Sequence, residues 1–453
     1  MKIAFLPIDN RPVCYSLAKD ICAVDKDTEL LIPNRELLGD LTKPANTEEL
    51  LQWLNNIPRC DAVILSLDTL VYGGLIPSRR SAETLGELKL KLDKIKNILK
   101  EKKSKIYAFS SIMRISNNNY NEEEKEYWKD YGKRIFEFSY KLHKDGYADS
   151  DIPQEIIEDY LKTRERNFEV NKIYLEWQKE GLFDTLIFSK DDCAEYGLNV
   201  REAQELEKMG GYTKTGADEI PLSLLSRSIE KDIKIFVQYT EPDCKDLISN
   251  YEDVSIEKSV SGQLELGGFT GVNNKEDADI VLIVNNFREK QGELVMGWST
   301  QPFDKIFTLP TKPYAVADVR YANGADNAFV EKLLNILSPS PRGRVGVGAD
   351  CFFGYAGWNT SANTLGSLLA GVKVKFNAKK YSEDAFKKLQ MVRFLDDWAY
   401  QANVRGQIDK PCDISELMKP YEERLSKILE YKIPNQITYH YPWNRKFETE
   451  VLL

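Results

Sequence analysis

Carboxylates, amides and arginines recur in this sequence at one kind of place, just past short apolar runs. Ile3 to Ile8 leads into Asp9-Asn10-Arg11-Pro12, and Ala62 to Leu67 into Asp68, with Tyr72-Gly73-Gly74 and Arg79 beyond. Ile106 to Ser110 is followed by Ser111 and Arg114, and Thr185 to Ser189 by Lys190-Asp191-Asp192. Ile233 to Val237 precedes Tyr239, Ile280 to Val284 precedes Asn285-Asn286, and Tyr314 to Ala317 precedes Asp318-Val319-Arg320. Any one of these polar residues could simply cap a helix. As a set they point to a site, because parallel α/β folds carry their chemistry at the carboxyl ends of strands. Asp191-Asp192 is the sharpest pair: adjacent carboxylates repel, so one keeps its proton to higher pH than the other. A carboxylic acid beside a carboxylate is the equipment for cleaving a glycosidic bond.

Three further segments suit a pocket for a polar small molecule. Thr215-Gly216-Ala217-Asp218-Glu219 supplies a second carboxyl pair ahead of an apolar helix, where acidic charge also favours a helix N-terminus. Asp318 to Asp326 sets polar groups, Asn323 among them, on a tight turn before a helix. Gly354 to Gly366 combines glycines that allow close backbone approach with Trp358, a flat apolar face, and with Asn359 and Asn363. Such a platform suits a pyranose ring; the plainer alternative is a buried tryptophan beside a capped helix.

Several chemistries are excluded. Only two histidines occur, His143 and His440, so a multi-histidine zinc site cannot form, and neither follows a convincing nucleophile elbow. Gly346-Val347-Gly348 lacks the third glycine of a dinucleotide fingerprint, and no P-loop is present. No organic cofactor is therefore expected. A net charge of -9 argues against a nucleic-acid partner. Seven scattered cysteines without a Cys-x-x-Cys pair indicate a reducing compartment. Without a signal peptide or a membrane-length apolar run, the expectation is a cytoplasmic protein with no membrane contact. Oligomeric state is left open, a homo-oligomer included.

The elements that must position these residues alternate. The apolar runs above, with Leu30 to Pro33 and Val345 to Val347, make nine candidate strands, rich in Ile, Val, Leu and Phe as strands buried on both faces are. Helical segments such as Ala82 to Lys102 and Asn327 to Leu337 separate them. This alternation predicts an α/β fold with a mostly parallel sheet, read as a TIM-barrel-like (β/α)8 catalytic domain over 1–380. Nine runs are one too many for eight strands, the short second or the ninth being the surplus, and an open doubly wound sheet is the alternative. No internal repeat is visible. From Tyr381 the pattern turns helical, predicting a C-terminal extension over 381–453.

The segments Leu6 to Pro12, Ser66-Leu67-Asp68 with Tyr72-Gly73-Gly74 and Ser78-Arg79, Ser189 to Asp192, Gly216 to Glu219, and Gly357-Trp358-Asn359-Thr360 together resemble the bacterial family catalogued as domain of unknown function 4127. That resemblance spans nearly the whole chain and implies a bacterial protein but no particular chemistry. Asp191-Asp192 also resembles the paired acids of the O-GlcNAcase and hyaluronidase-like barrel enzymes. There the first acid orients the substrate's acetamido group and the second protonates the leaving oxygen.

The leading expectation is thus a retaining, exo-acting glycosidase for small carbohydrates, in its narrower form a β-N-acetylhexosaminidase. Asp191 would orient the acetamido group and Asp192 act as acid/base. Asp9, Arg11, Asp68, Arg79, Arg114, Asp218, Asp318, Asn323 and Asn359 would bind substrate, with Trp358 stacking on the ring and no metal. Two alternatives stand: an Mg²⁺ or Mn²⁺ hydrolase using Asp9, Asp68, Asp191 and Asp318, or a non-enzymatic sugar-binding protein.

Overall fold

In the computed structural model, which describes residues 1–191, 194–306, 308–338 and 351–453, the apolar runs become strands of two parallel sheets. The first sheet contains β1 (Lys2–Leu6), β2 (Glu29–Leu31), β3 (Ala62–Ser66), β4 (Lys105–Ile112), β5 (Thr185–Lys190) and β6 (Thr213–Thr215). Its order is β2-β1-β3-β4-β5-β6, every pair parallel. The second contains β7 (Lys234–Tyr239), β8 (Thr270–Val272), β9 (Ile280–Asn285), β10 (Tyr314–Asp318) and β11 (Phe352–Ala356), in the parallel order β8-β7-β9-β10-β11. Mixed α/β architecture with parallel sheets is therefore what the sequence predicts. Among the described residues, however, the strands form these open sheets of six and five rather than one closed eight-stranded ring. Strand–helix alternation is common to barrels and doubly wound sheets, so the local pattern could not separate them.

Each sheet belongs to its own compact unit. The first unit comprises Met1–Tyr15, Glu29–Leu224 and Tyr251–Asp253; the second comprises Ser16–Thr28, Leu225–Asn250 and Val254–Leu453. Residues 1–380 thus contribute to both, and the segment from 381 lies within the second. The second unit also takes the early helix Ser16–Cys22. There Lys26 N donates to Lys380 O, Ser382 N to Val24 O, and Asp20 pairs with Lys388 at 3.0 Å.

Both sheets follow one rule. The second strand pairs on one side of the first, and the third crosses back to the other side. That reversal opens a crevice at the carboxyl ends of the first and third strands, where open α/β sheets bind ligands. In the first unit it lies between β1 and β3; in the second, between β7 and β9. The sequence shows no repeat, yet the strand order occurs twice.

Burial fixes these strands. Every residue of β3 and β9 is buried, and each large apolar side chain so placed contributes about 1.5–3 kcal/mol. Helix Leu85–Glu101 starts at a capping box between Thr84 and Glu87 and buries Leu88, Leu92, Ile95 and Leu99 along one stripe. Ser66 ends β3 and caps Leu67–Val71 by accepting from Thr69 N, which sets Asp68 in the first turn at the crevice. Gly73 follows at φ +86°, where a Cβ would lie 2.7 Å from Pro44 Cβ and 2.9 Å from Ala45 N. Gly73→Ala should therefore cost roughly 2 kcal/mol or more, visible as a lowered denaturation midpoint with unchanged m value; a midpoint equal to wild type would refute the constraint.

Candidate active site in the first unit

The loop after β1 folds back on itself because Arg11 binds its neighbour. Arg11 N donates to Asp9 Oδ1 at 2.9 Å and Arg11 Nε to Asp9 Oδ2 at 2.8 Å. The far end of the same guanidinium, Nη2, lies 2.6 Å from Asp218 Oδ1. Asp218 follows β6, four strand positions from β1, about 19 Å across a flat sheet. The loops after β1 and β6 must therefore close over the carboxyl ends of the strands between them.

A second group adjoins. Arg114, beyond β4, reaches Asp191 at 3.3 Å, Glu123 at 2.7 Å and Glu124 at 3.2 Å. Arg79 is wholly buried and pairs with Glu124 at 2.9 Å. Asp191 acts electrostatically on both Arg79 and Asp218, which joins the two groups into one cluster. Asp68 sits beneath it, its Oδ2 accepting from Ser111 N at 2.7 Å. Asp192 lies outside the described residues.

Burial sets the proton affinities. Asp218 is held above the ordinary carboxyl range chiefly by desolvation, which outweighs the attraction of Arg11, and Asp9 and Asp191 push the same way. Burial raises Asp68 to about 7 and Glu219 to about 8, the latter helped by Asp218 and Glu252. The folded chain therefore binds protons at these groups that an unfolded chain would release from about pH 4 upward. By linkage, stability must fall as pH rises through that window. Thermal melts at pH 5.5 and pH 8 should show the higher Tm at the lower pH, and Asp68→Asn should flatten the difference. A Tm that climbs from pH 5.5 to 8 would contradict the assignment.

Among the described residues, one group of three potential metal ligands forms, Asp9, Cys14 and Asp218, with donor atoms within 4.8 Å of one another. Arg11 Nη2 stands among them, 2.7 Å from Asp9, 2.6 Å from Asp218 and 4.0 Å from Cys14 Sγ. The negative charge already has its cation, one that does not deprotonate in proteins. Asp9, Asp68, Asp191 and Asp318 do not form such a group among the described residues.

Of the residues expected at one site, Asp9, Arg11, Asp68, Arg79, Arg114, Asp191 and Asp218 thus lie in the first unit. Asp318, Asn323, Trp358 and Asn359 lie in the second. There Asp318 accepts from Asn285 Nδ2 and Asp326 N, both at 2.8 Å, and burial with Asp326 nearby raises it to about 7. Trp358 is buried, its ring centroid 5.9 Å from that of Phe447, rather than presented as an open platform. Sequence reasoning missed Glu123, Glu124 and Cys14 in the first unit. In the second it missed Glu241, whose carboxylate meets Lys305 at 2.6 Å, Arg288 at 2.9 Å and Arg320 at 3.2 Å. Glu241 lies two residues past the end of β7, a position that the strand-end rule could have flagged.

Among the described residues no helix is long and apolar enough to cross a membrane. No curated protein and no solved structure matches the chain. The family model described as "Protein of unknown function (DUF4127)" matches residues 3–452, and the chain belongs to that family.

Proposed function

We propose that the first unit hydrolyses a glycosidic bond of a small carbohydrate. The observation that carries this reading is Asp218, a buried carboxyl with raised proton affinity, anchored by Arg11 and flanked by Asp9 and Asp191. A carboxyl whose proton affinity burial raises is better suited than an ordinary one to protonate a departing glycosidic oxygen. Asp191, ion-paired to Arg114, is the second carboxyl, and stabilises positive charge developing at the anomeric carbon. Asp9, Arg11 and Arg114 line the rim and bind hydroxyls. A closed barrel is not required, because loops drawn across an open sheet make a comparable rim.

The narrower form, a retaining exo-β-N-acetylhexosaminidase, assigns the roles differently: Asp191 orients the acetamido group and Asp192 donates the proton. Asp218→Asn and Asp192→Asn separate the two forms, since the variant that loses turnover identifies the acid.

A divalent-metal hydrolase is the second reading, favoured by the spacing of Asp9, Cys14 and Asp218. It requires an ion to displace the Arg11 guanidinium. One experiment covers both readings: the purified protein is screened against nitrophenyl glycosides, including N-acetylglucosaminide and N-acetylgalactosaminide, with and without EDTA. Release indifferent to EDTA is expected. Release abolished by EDTA would transfer the site to the metal reading, and silence on every glycoside would remove the glycosidase.

A further inference from the structure

The second unit holds an unusual element, an 11-residue π-helix over Phe394–Val404 that continues the α-helix Glu383–Arg393. Such helices are rare and recur at functional sites, because their looser ladder is hard to retain without a reason. This one packs against two loops that follow β10 and β11. Ala325 N donates to Asp397 O at 3.0 Å, Gly357 N to Asp397 Oδ2 at 2.7 Å, and Asn323 N to Asn359 O at 3.0 Å. A Cβ added to Gly324 would stand 3.1 Å from Gln401 Cβ. Asn323 and Asn359 both hold positive φ, 59° and 68°, a conformation that asparagine tolerates better than most residues.

Where these segments meet, polar atoms lack partners. Asp397 Oδ1, Asn323 Oδ1, Gln401 Oε1 and Trp358 Nε1 are buried without a hydrogen bond, and all four side chains are more than nine-tenths buried. Each is the idle half of a group that is otherwise engaged or fixed. Asp397 Oδ2 takes Gly357 N, Asn323 Nδ2 donates to Glu293, and Gln401 Nε2 donates to Asp396 at 3.1 Å. Buried polar atoms without partners are costly, and several on adjoining segments call for partners at their junction.

We propose that this junction is a second binding site, for an uncharged polyhydroxylated molecule. With Arg393 Nη2, a further buried donor without a hydrogen bond, three acceptors and two donors match hydroxyl groups, each of which donates one hydrogen bond and accepts others. An anion would face an excess of acceptors. A free cation is not needed, since Arg393 lies 3.7 Å from Asp397 and Arg405 faces Glu293. Among the described residues no group of metal ligands forms here. Burial together with Asp397 keeps Asp396 above the ordinary carboxyl range, which lowers the charge at the junction further. The site stands independently of hydrolysis in the first unit.

The test uses the full chain, titrated at millimolar concentration with glucose, N-acetylglucosamine and myo-inositol, reading tryptophan fluorescence and Tm. At least one probe should give a saturable change and raise Tm. Gln401→Met and Trp358→Phe should each weaken it by about tenfold or more, the value of one lost hydrogen bond. Asp191→Asn, in the first unit, should leave it intact even if turnover is lost. Absence of saturation with all three probes means a junction filled by water only and overturns the proposal. So does binding that survives in both junction variants, or binding that vanishes in Asp191→Asn instead.

Discussion

Asp218→Asn should lower turnover on a nitrophenyl glycoside by about a thousandfold, within the range that general acid catalysis supplies. Asparagine has the shape of the protonated carboxyl and can still accept from Arg11, so the fold should survive; a near-wild-type Tm is the control. The loss should depend on the leaving group. A dinitrophenolate departs with little protonation, whereas an alkyl alcohol cannot, so the ratio of wild-type to variant rate should grow as the leaving group becomes more basic. The alkaline limb of the wild-type pH profile, set by Asp218 losing its proton, should vanish in the variant. A uniform loss across leaving groups, or none, would show that Asp218 is not the acid.

Arg11→Met should have the largest effect on stability. The substitution keeps an unbranched stem and removes the cation between Asp9 and Asp218. Breaking a buried pair typically costs 3–5 kcal/mol, because the remaining charges are left uncompensated. Here two carboxyls would be left facing one another, so the proton affinity of Asp218 should rise further and the alkaline limb should move to higher pH. The double variant Arg11→Met, Asp218→Asn has one charge fewer to strand and should be less destabilised than the sum of the single variants. Strict additivity in denaturant melts would show that the bridge carries no coupling.

Much of this architecture is legible in the chain, for identifiable reasons. Runs such as Ala62 to Leu67 and Ile280 to Val284 are apolar because both faces of their strands are covered. Helix Asn327–Leu337 occupies the span expected of it, with Asp326 as its cap. Strands Thr213–Thr215 and Thr270–Val272 escape notice because a three-residue edge strand with polar or glycine positions carries no periodic signal. Phe352–Ala356 escapes because its glycine and aromatics read as part of the loop that follows it. The ninth expected run, Val345 to Val347, lies outside the described residues. Strand order, which separates two open sheets from one ring, rests on pairings between distant segments. At the site, Asp9, Arg11 and Asp218 are legible as strand-end residues. Glu124 is not: it is buried while Glu122 and Glu126 in the same charged run are exposed, a difference set by Arg79 and Arg114 rather than by local sequence.

The early segment Ser16–Thr28 has a further consequence, in the timing of synthesis. Its partners Lys380, Ser382 and Lys388 leave the ribosome more than 350 residues after it. At about 5–20 residues per second this is a wait of roughly 20–70 s. Throughout that interval Leu17, Ala18 and Ile21, buried in the finished protein, lack the helices Ser361–Asn377 and Glu383–Arg393 on which their own helix packs. Ribosome-bound chains arrested before Lys380 should therefore be cut by protease within this segment, and the released full-length chain should not.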